Sequence, residues 1–324
     1  MYYSIRHVTR FRYSQPISES MMEVRMQPRT EGVQRCLQFN LSVKPKARVM
    51  AYRDFLSNTV HHFGVPGAHR DLAVIAEALV EVRGEHEPPA ALAPSAWDEL
   101  DALTRAGDYW ETLAPSAFAQ PTGLLLGLVR EFGAVRRDDP LSLLNELNAR
   151  MYDAFDYVPR ATKVDSPIDE ALRSRHGVCQ DFAHIFIALL RHIGIPARYV
   201  SGYLYHRRQD HDRSAEGATH AWVEALLPHL GWVGFDPTNN LIAGQRHIRT
   251  AIGRDYADVP PTKGVYKGAA ESSLAVVVRV SPSDAAPPAD DLMPMPVSEH
   301  WSPAAEPDRA AIDYQQQQQQ QQQQ

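Results

Sequence analysis

SRHGVCQDFAHIFIALLRHIGIPARYVSGYL, residues 174–204, is the stretch on which the fold turns. Phe182, Ile185, Phe186, Leu189, Leu190 and Ile193 recur at i, i+3, i+4, i+7 spacing, which predicts a helix with one apolar face. Gly194 and Pro196 stop that helix, and Ala197–Leu204 reads as a strand. Cys179, two residues after Gly177, then sits at the helix N-terminus. The helix dipole and the free N–H groups there favour a thiolate, and the Cys179 backbone N–H is placed to donate to an oxyanion.

A lone cysteine is most often a small buried hydrophobe, and an isolated G-x-C carries little information. The downstream sequence adds to it. A polar loop, Arg207 to Gly217, leads into ATHAWVEALL (residues 218–227), where His220, Trp222 and Glu224 share one face of a strand. GWVGFDPTNN (residues 231–240) follows as a short strand that ends at Asp236. A thiol nucleophile needs an imidazole to take its proton, and the imidazole needs a carboxylate to hold its tautomer. Cys179, His220 and Asp236 are therefore the candidate catalytic residues. Gln180 and Tyr157 are candidates for a second oxyanion donor, and Trp222 is either core or a shield for the imidazole. His184 reads as structural and Cys36 as packing. His206, His211 and His229 have neither HExxH nor paired-Cys spacing, so no metal and no cofactor is expected.

Toward the N-terminus the pattern is β. Tyr3, Ile5, His7, Thr9, Phe11 and Tyr13 alternate with polar residues, and Leu37, Phe39, Leu41 and Val43 repeat the alternation up to Pro45. Val49–Phe55 and Val60–Val65 meet across Ser57–Asn58 as a hairpin, and Leu72 to Val82 extends the strand character. Several short strands of this kind predict a small sandwich or barrel-like domain over residues 1–86. Residues 84–94 read as a connection. Helices are predicted around Trp97–Leu103, Gly123–Phe132 and Pro140–Ala154, and Leu274–Val280 as a strand returning to one of two sheets. The catalytic core is expected over residues 87–280. Residues 281–324, rich in Pro and Ala and ending in a glutamine run, are expected to be a disordered tail.

The 324 residues are 44% hydrophobic and 22% charged, ordinary values for a globular protein. A net charge of −6 without a basic block argues against nucleic acid as a partner. No stretch is apolar enough for a membrane helix, and the start has no secretory pattern. Two cysteines exclude a disulfide framework, so a reducing, cytoplasmic setting is expected.

The motifs GVCQDFAH, ARYVSGY, THAWVE and GWVGFDPTNN, with the later RDYADVPPTKGVYKG (residues 254–268), resemble the transglutaminase-like core of bacterial proteins often labelled cysteine proteases. The β-rich start resembles the N-terminal region that accompanies this core. The resemblance implies an α+β, papain-like fold, with the Cys179 helix packed on an antiparallel sheet. It also implies Cys179 as nucleophile, His220 as general base and acid, and Asp236 as the group that orients His220. Where animal transglutaminases carry a tryptophan directly after the nucleophile, Gln180 stands here, and no carboxylate cluster suggests their calcium sites. The expected activity is cysteine-dependent hydrolysis of a peptide or amide through an acyl-thioester. Acyl transfer, or a binding module without catalysis, are the alternatives.

Overall fold

The computed structural model describes residues 1–84, 88–207 and 209–283. The tail predicted to be disordered lies outside the described residues from position 284 onward. Four strands come first: β1 (Tyr2–Val24), β2 (Gln34–Lys44), β3 (Met50–Arg53) and β4 (Thr59–Val82). Then come α1 (Ala96–Ala106), α2 (Trp110–Leu113), α3 (Gly123–Phe132), α4 (Pro140–Ala154), β5 (Asp156–Tyr157), α5 (Ile168–Ser174), β6 (His176–Gly177) and α6 (Cys179–His192). The chain closes with β7 (Ala197–Leu204), β8 (His220–Leu227), β9 (Gly231–Asp236), β10 (Leu241–Ile242), β11 (His247–Gly253), β12 (Thr262–Lys267) and β13 (Ser272–Ser283).

The first sheet is antiparallel, in the order β12-β1-β4-β2, with β13 also on β1 and β3 also on β4. Where the alternating pattern suggests several short strands, β1 and β4 run for 23 and 24 residues. Register shifts between Arg12, Ile17 and Glu19 bend β1 against β4 without ending either strand. The first half of β1 pairs with β13, from Tyr2 opposite Ser283 to Tyr13 opposite Ser272, and its second half with β12. The strand read at Leu274–Val280 thus returns to the N-terminal sheet. The β3–β4 hairpin forms where expected, with Met50 opposite His62 and Arg53 opposite Thr59.

The second sheet is antiparallel, in the order β10-β9-β8-β7-β11. Helix α6 packs on it through Phe182, Ile185, Phe186, Leu189 and Leu190, against Ala197, Tyr199, Val223, Ala225 and Phe235. Helices α3, α4 and α5 cover the other side, so α6 is buried along almost its whole length rather than on one face. Helix α4 occupies the predicted span. The Asp139 side chain caps it by accepting from the N–H groups of Leu141 and Ser142, and Pro140 opens it.

The two sheets meet along β11, an edge strand whose outer backbone groups need partners. Side-chain amides of the first sheet's region supply them. Gln34 donates to the Arg249 carbonyl at 2.9 Å and accepts from its N–H at 2.8 Å. Asn58, fully buried, does the same to Ile252, with both contacts at 2.8 Å. Replacing Asn58 with Ala would strand two buried backbone groups. The expected cost is about 2 kcal/mol, seen as a lower urea midpoint; an unchanged midpoint would show that these bonds do not hold the sheets together.

Candidate active site

Cys179 is the first residue of α6, so its backbone N–H has no partner within the helix. The two-residue parallel pairing of Asp156–Tyr157 with His176–Gly177 brings Tyr157 beside the approach to Cys179. The turn into the helix is fixed by Asp181, whose buried carboxylate accepts from the Val178 N–H at 2.9 Å and the Thr162 hydroxyl at 2.6 Å. Gly177 suits this close approach: a Cβ there would sit 3.0 Å from the Asp181 side chain, which would have to give way by a few tenths of an ångström. Burial raises the Asp181 carboxyl to about 6, although both of its hydrogen bonds oppose the shift.

His220 opens β8, opposite Gly202 of β7, and Asp236 closes β9. His220 Nε2 lies 2.8 Å from Asp236 Oδ2, with both residues buried. The same oxygen accepts from Asn239 Nδ2 at 2.8 Å and from His247 Nε2 at 3.2 Å, while Oδ1 accepts from the N–H groups of Thr238 and Asn239. Burial alone would push the His220 imidazole down, but the Asp236 charge and hydrogen bond, with a further contribution from Cys179, lift it to about 10. Burial likewise opposes ionisation of Asp236, yet His220 and His247 hold its carboxyl far below the usual range. His220 Nδ1 is buried and makes no hydrogen bond of ordinary geometry, and the Cys179 thiol is the neighbour that acts on the ring besides Asp236. Long contacts of this kind are common at unliganded catalytic sites.

A small cavity opens over Cys179 and His220 and is lined by Tyr157, Gln180, Tyr199, Ser201 and Tyr256 among others. Among the described residues that line it, His220 is the one nitrogen base, and none is a carboxylate, lysine or arginine. The structure thus brings all three sequence-predicted site residues together. It also decides the smaller expectations. Gln180 Nε2 donates to the Val164 carbonyl at 2.9 Å, and its Oε1 is a buried acceptor without a partner. A carbonyl can pair only with the amide NH₂, so one of its two N–H groups is used on Val164 and the second is left for another acceptor. Tyr157 lines the cavity, its hydroxyl kept neutral by burial and by nearby Cys179.

Trp222 is both core and shield. It is fully buried beside Val200 and Ile252, and its ring stacks on His220 with centroids 6.1 Å apart and planes at 25°. His184 is structural: its Nε2 accepts from the Tyr256 N–H at 3.2 Å, and its ring stacks on Phe118. His206 pairs with Asp212 and His229 with Glu99, so these histidines do not gather. Cys36 lies half-buried at a register shift in β2, and both cysteines are free. Among the described residues, one group has metal-ligand spacing: His220, Asp236 and His247, with one candidate ligand atom from each within 4.8 Å of the others. Both imidazole Nε2 atoms there are engaged with Asp236. His247 and Asn239 escaped the sequence reading. Only their nearness to the DPTNN turn could have drawn attention to them.

A cysteine at a buried helix N-terminus, facing a His–Asp pair on an antiparallel sheet, defines a papain-like α+β protein. The sequence profile of the transglutaminase-like superfamily matches residues 133–237, and that of the bacterial transglutaminase-like N-terminal region matches residues 3–81. An uncharacterized protein of Mycobacterium leprae (strain TN) is 33% identical over 276 residues, which are 85% of this chain and 96% of that one. The chain belongs to the transglutaminase-like superfamily. Among solved structures, one from Cytophaga hutchinsonii described as a "putative cysteine protease" aligns with a TM-score of 0.68 at 22% identity, covering 89% of this chain and 93% of that one. A Pseudomonas aeruginosa protein named protein-glutamine gamma-glutamyltransferase is 29% identical over 165 residues, 47% of this chain and 22% of its own length.

The shifts at His220 and Asp236 carry a pH signature. A raised imidazole stabilises the fold fully below its unfolded value of 6.5 and loses that contribution as pH climbs toward about 10. A depressed carboxyl contributes above its unfolded 3.8 and loses that contribution in acid. The stability advantage of the wild type over Asp236→Asn should therefore peak between these unfolded values and shrink toward alkaline pH. Denaturant melts of both proteins from about pH 4 to 10 test this, and a constant difference would remove the ion pair from the account.

Proposed function

We propose that the protein is a cysteine-dependent hydrolase, a peptidase or amidase, working through an acyl-thioester on Cys179. The observation that carries this reading is the buried His220–Asp236 pair beside a cysteine that heads a helix and lines a cavity. The proton shared between Cys179 and His220 Nδ1 rests on the imidazole, and in the first half-reaction Sγ bonds to the carbonyl carbon of the substrate. The Cys179 backbone N–H stabilises the developing oxyanion. His220 then returns the proton to the leaving nitrogen as the C–N bond breaks. Water, deprotonated by His220, releases the acid. Asp236 stays ionised throughout and keeps Nδ1 turned toward the thiol.

Apart from the reacting Cys179–His220 pair, the described residues of the wall carry no charge, which favours a neutral acyl group, such as a carboxamide or a backbone amide, at the point of attack. Acyl transfer is the second reading. It needs only that an amine replace water at the thioester, and it is supported by the name of the P. aeruginosa relative. The two free cysteines fit a reducing compartment, and the cytoplasm is the proposed location.

Intact-mass spectrometry after incubation with activated acyl esters and amides should show one acyl adduct, mapping to Cys179. Adding a primary amine would divert it to an amide product if transfer dominates. Cys179→Ala should keep the fold and lose both the adduct and at least about 10³-fold in turnover. An adduct on Cys36 alone, or turnover that survives in Cys179→Ala, would refute the assignment.

A further inference from the structure

Asp236 holds more than one imidazole. We infer that His247 is a positioning residue of the site: a second, neutral imidazole that donates to the same carboxylate oxygen as His220 and thereby governs how Asp236 holds the His220 ring. The inference rests on the reading of Cys179, His220 and Asp236 given above.

His247 opens β11 opposite Leu204 and is 4% exposed at its side chain. Its Nδ1 accepts from the Gly244 N–H at 3.3 Å, which leaves the proton on Nε2. That Nε2–H points to Asp236 Oδ2 at 3.2 Å, beside the shorter 2.8 Å contact from His220. The Trp222 ring stands edge-on to His247 with centroids 5.2 Å apart and lies parallel to His220, so one aromatic plate fixes both rings.

The charges around His247 favour its neutral form. Within the site it faces Asp236 and His220, and from the residue just before its strand Arg246, which is paired with Asp210 and Asp212. On the side of the first sheet it shares a cleft with Arg83 and with Arg249, the latter paired with Glu224. Burial, then His220 and Arg246, lower its pKa despite the pull of Asp236. Two imidazolium ions on one buried carboxylate would repel each other, so the pair divides its labour. His220 carries the proton, and His247 supplies a donor without charge. Asp236 thereby has a fixed orientation, with its negative charge spread over a second donor rather than concentrated on His220.

The test is ¹⁵N-imidazole NMR of the full chain, assigned by single His→Gln variants, together with iodoacetamide labelling of Cys179. In the wild type, His247 should show the neutral Nε2–H tautomer from about pH 5 to 8, while His220 is doubly protonated. His247→Gln, whose side-chain amide can donate from the same place, should leave both the His220 titration and Cys179 labelling near wild type. His247→Leu should raise the His220 midpoint by roughly half a pH unit or more and slow Cys179 labelling about tenfold. A charged His247 at neutral pH, or wild-type titration and labelling in a folded His247→Leu protein, would overturn the inference. Should His247→Leu not fold, the wild-type tautomer and the His247→Gln titration still decide. His220→Ala separates the two readings: if it leaves Cys179 labelling unchanged, the His220–Cys179 assignment fails. If it slows labelling while His247→Leu does not, only the role of His247 fails.

Discussion

The structure depends on the near-complete burial of α6. A helix sunk in a core needs partners for the polar groups it carries, and this one carries Cys179, Gln180, Asp181, His184 and Arg191 inside the protein. Their needs organise the surroundings. Arg191 donates to the carbonyls of Thr112, Ala114, Ala197 and Arg254, tying the segment before α3, the start of β7 and the loop after β11 to one guanidinium. His184 receives the Tyr256 N–H, and Asp181 closes the N-terminal turn. The loop around Asp255 and the Thr162 segment are thus drawn to the helix by hydrogen bonds as well as by apolar packing. The reactive end of α6 is held by the same bonds that satisfy the rest of it.

Two buried carboxylates near the thiol behave in opposite ways. Asp181 has only neutral donors, so desolvation prevails and its carboxyl moves up to about 6. Asp236 has a cationic partner and four other donor contacts, and it moves down. Divergent environments of this kind assign separate roles to chemically identical groups. Asp181 shapes the helix start, and Asp236 stabilises positive charge on the imidazole.

The elements with a clear period were legible. The α6 apolar repeat, the start of α4 at Pro140, and strands β7 to β9 follow directly from their sequences, because local propensity and tertiary burial agree there. Cys179, His220 and Asp236 could be singled out because each stands at the end of such an element. What the sequence hid was long-range. The unbroken length of β1 and β4 depends on a register shift that alternation cannot reveal. That the Gln180 NH₂ uses one of its two N–H groups on the Val164 carbonyl, 16 residues away, is equally invisible locally. His247 heads an ordinary strand, and nothing local says that its ring meets a carboxylate from another.

The closing of the first sheet has a consequence for biosynthesis. Tyr2 pairs with Ser283, and the whole first half of β1 has β13 as its neighbour on one side. A chain emerging from the ribosome at about 5–20 residues per second presents that edge of β1 long before its partner exists. For tens of seconds β1 and β4 can form a ladder that remains open on the side reserved for β12 and β13. The nascent chain therefore passes through a period in which an unpaired strand edge is a template for other chains. This window, rather than any weakness of the finished core, is where intermolecular strand pairing competes with folding.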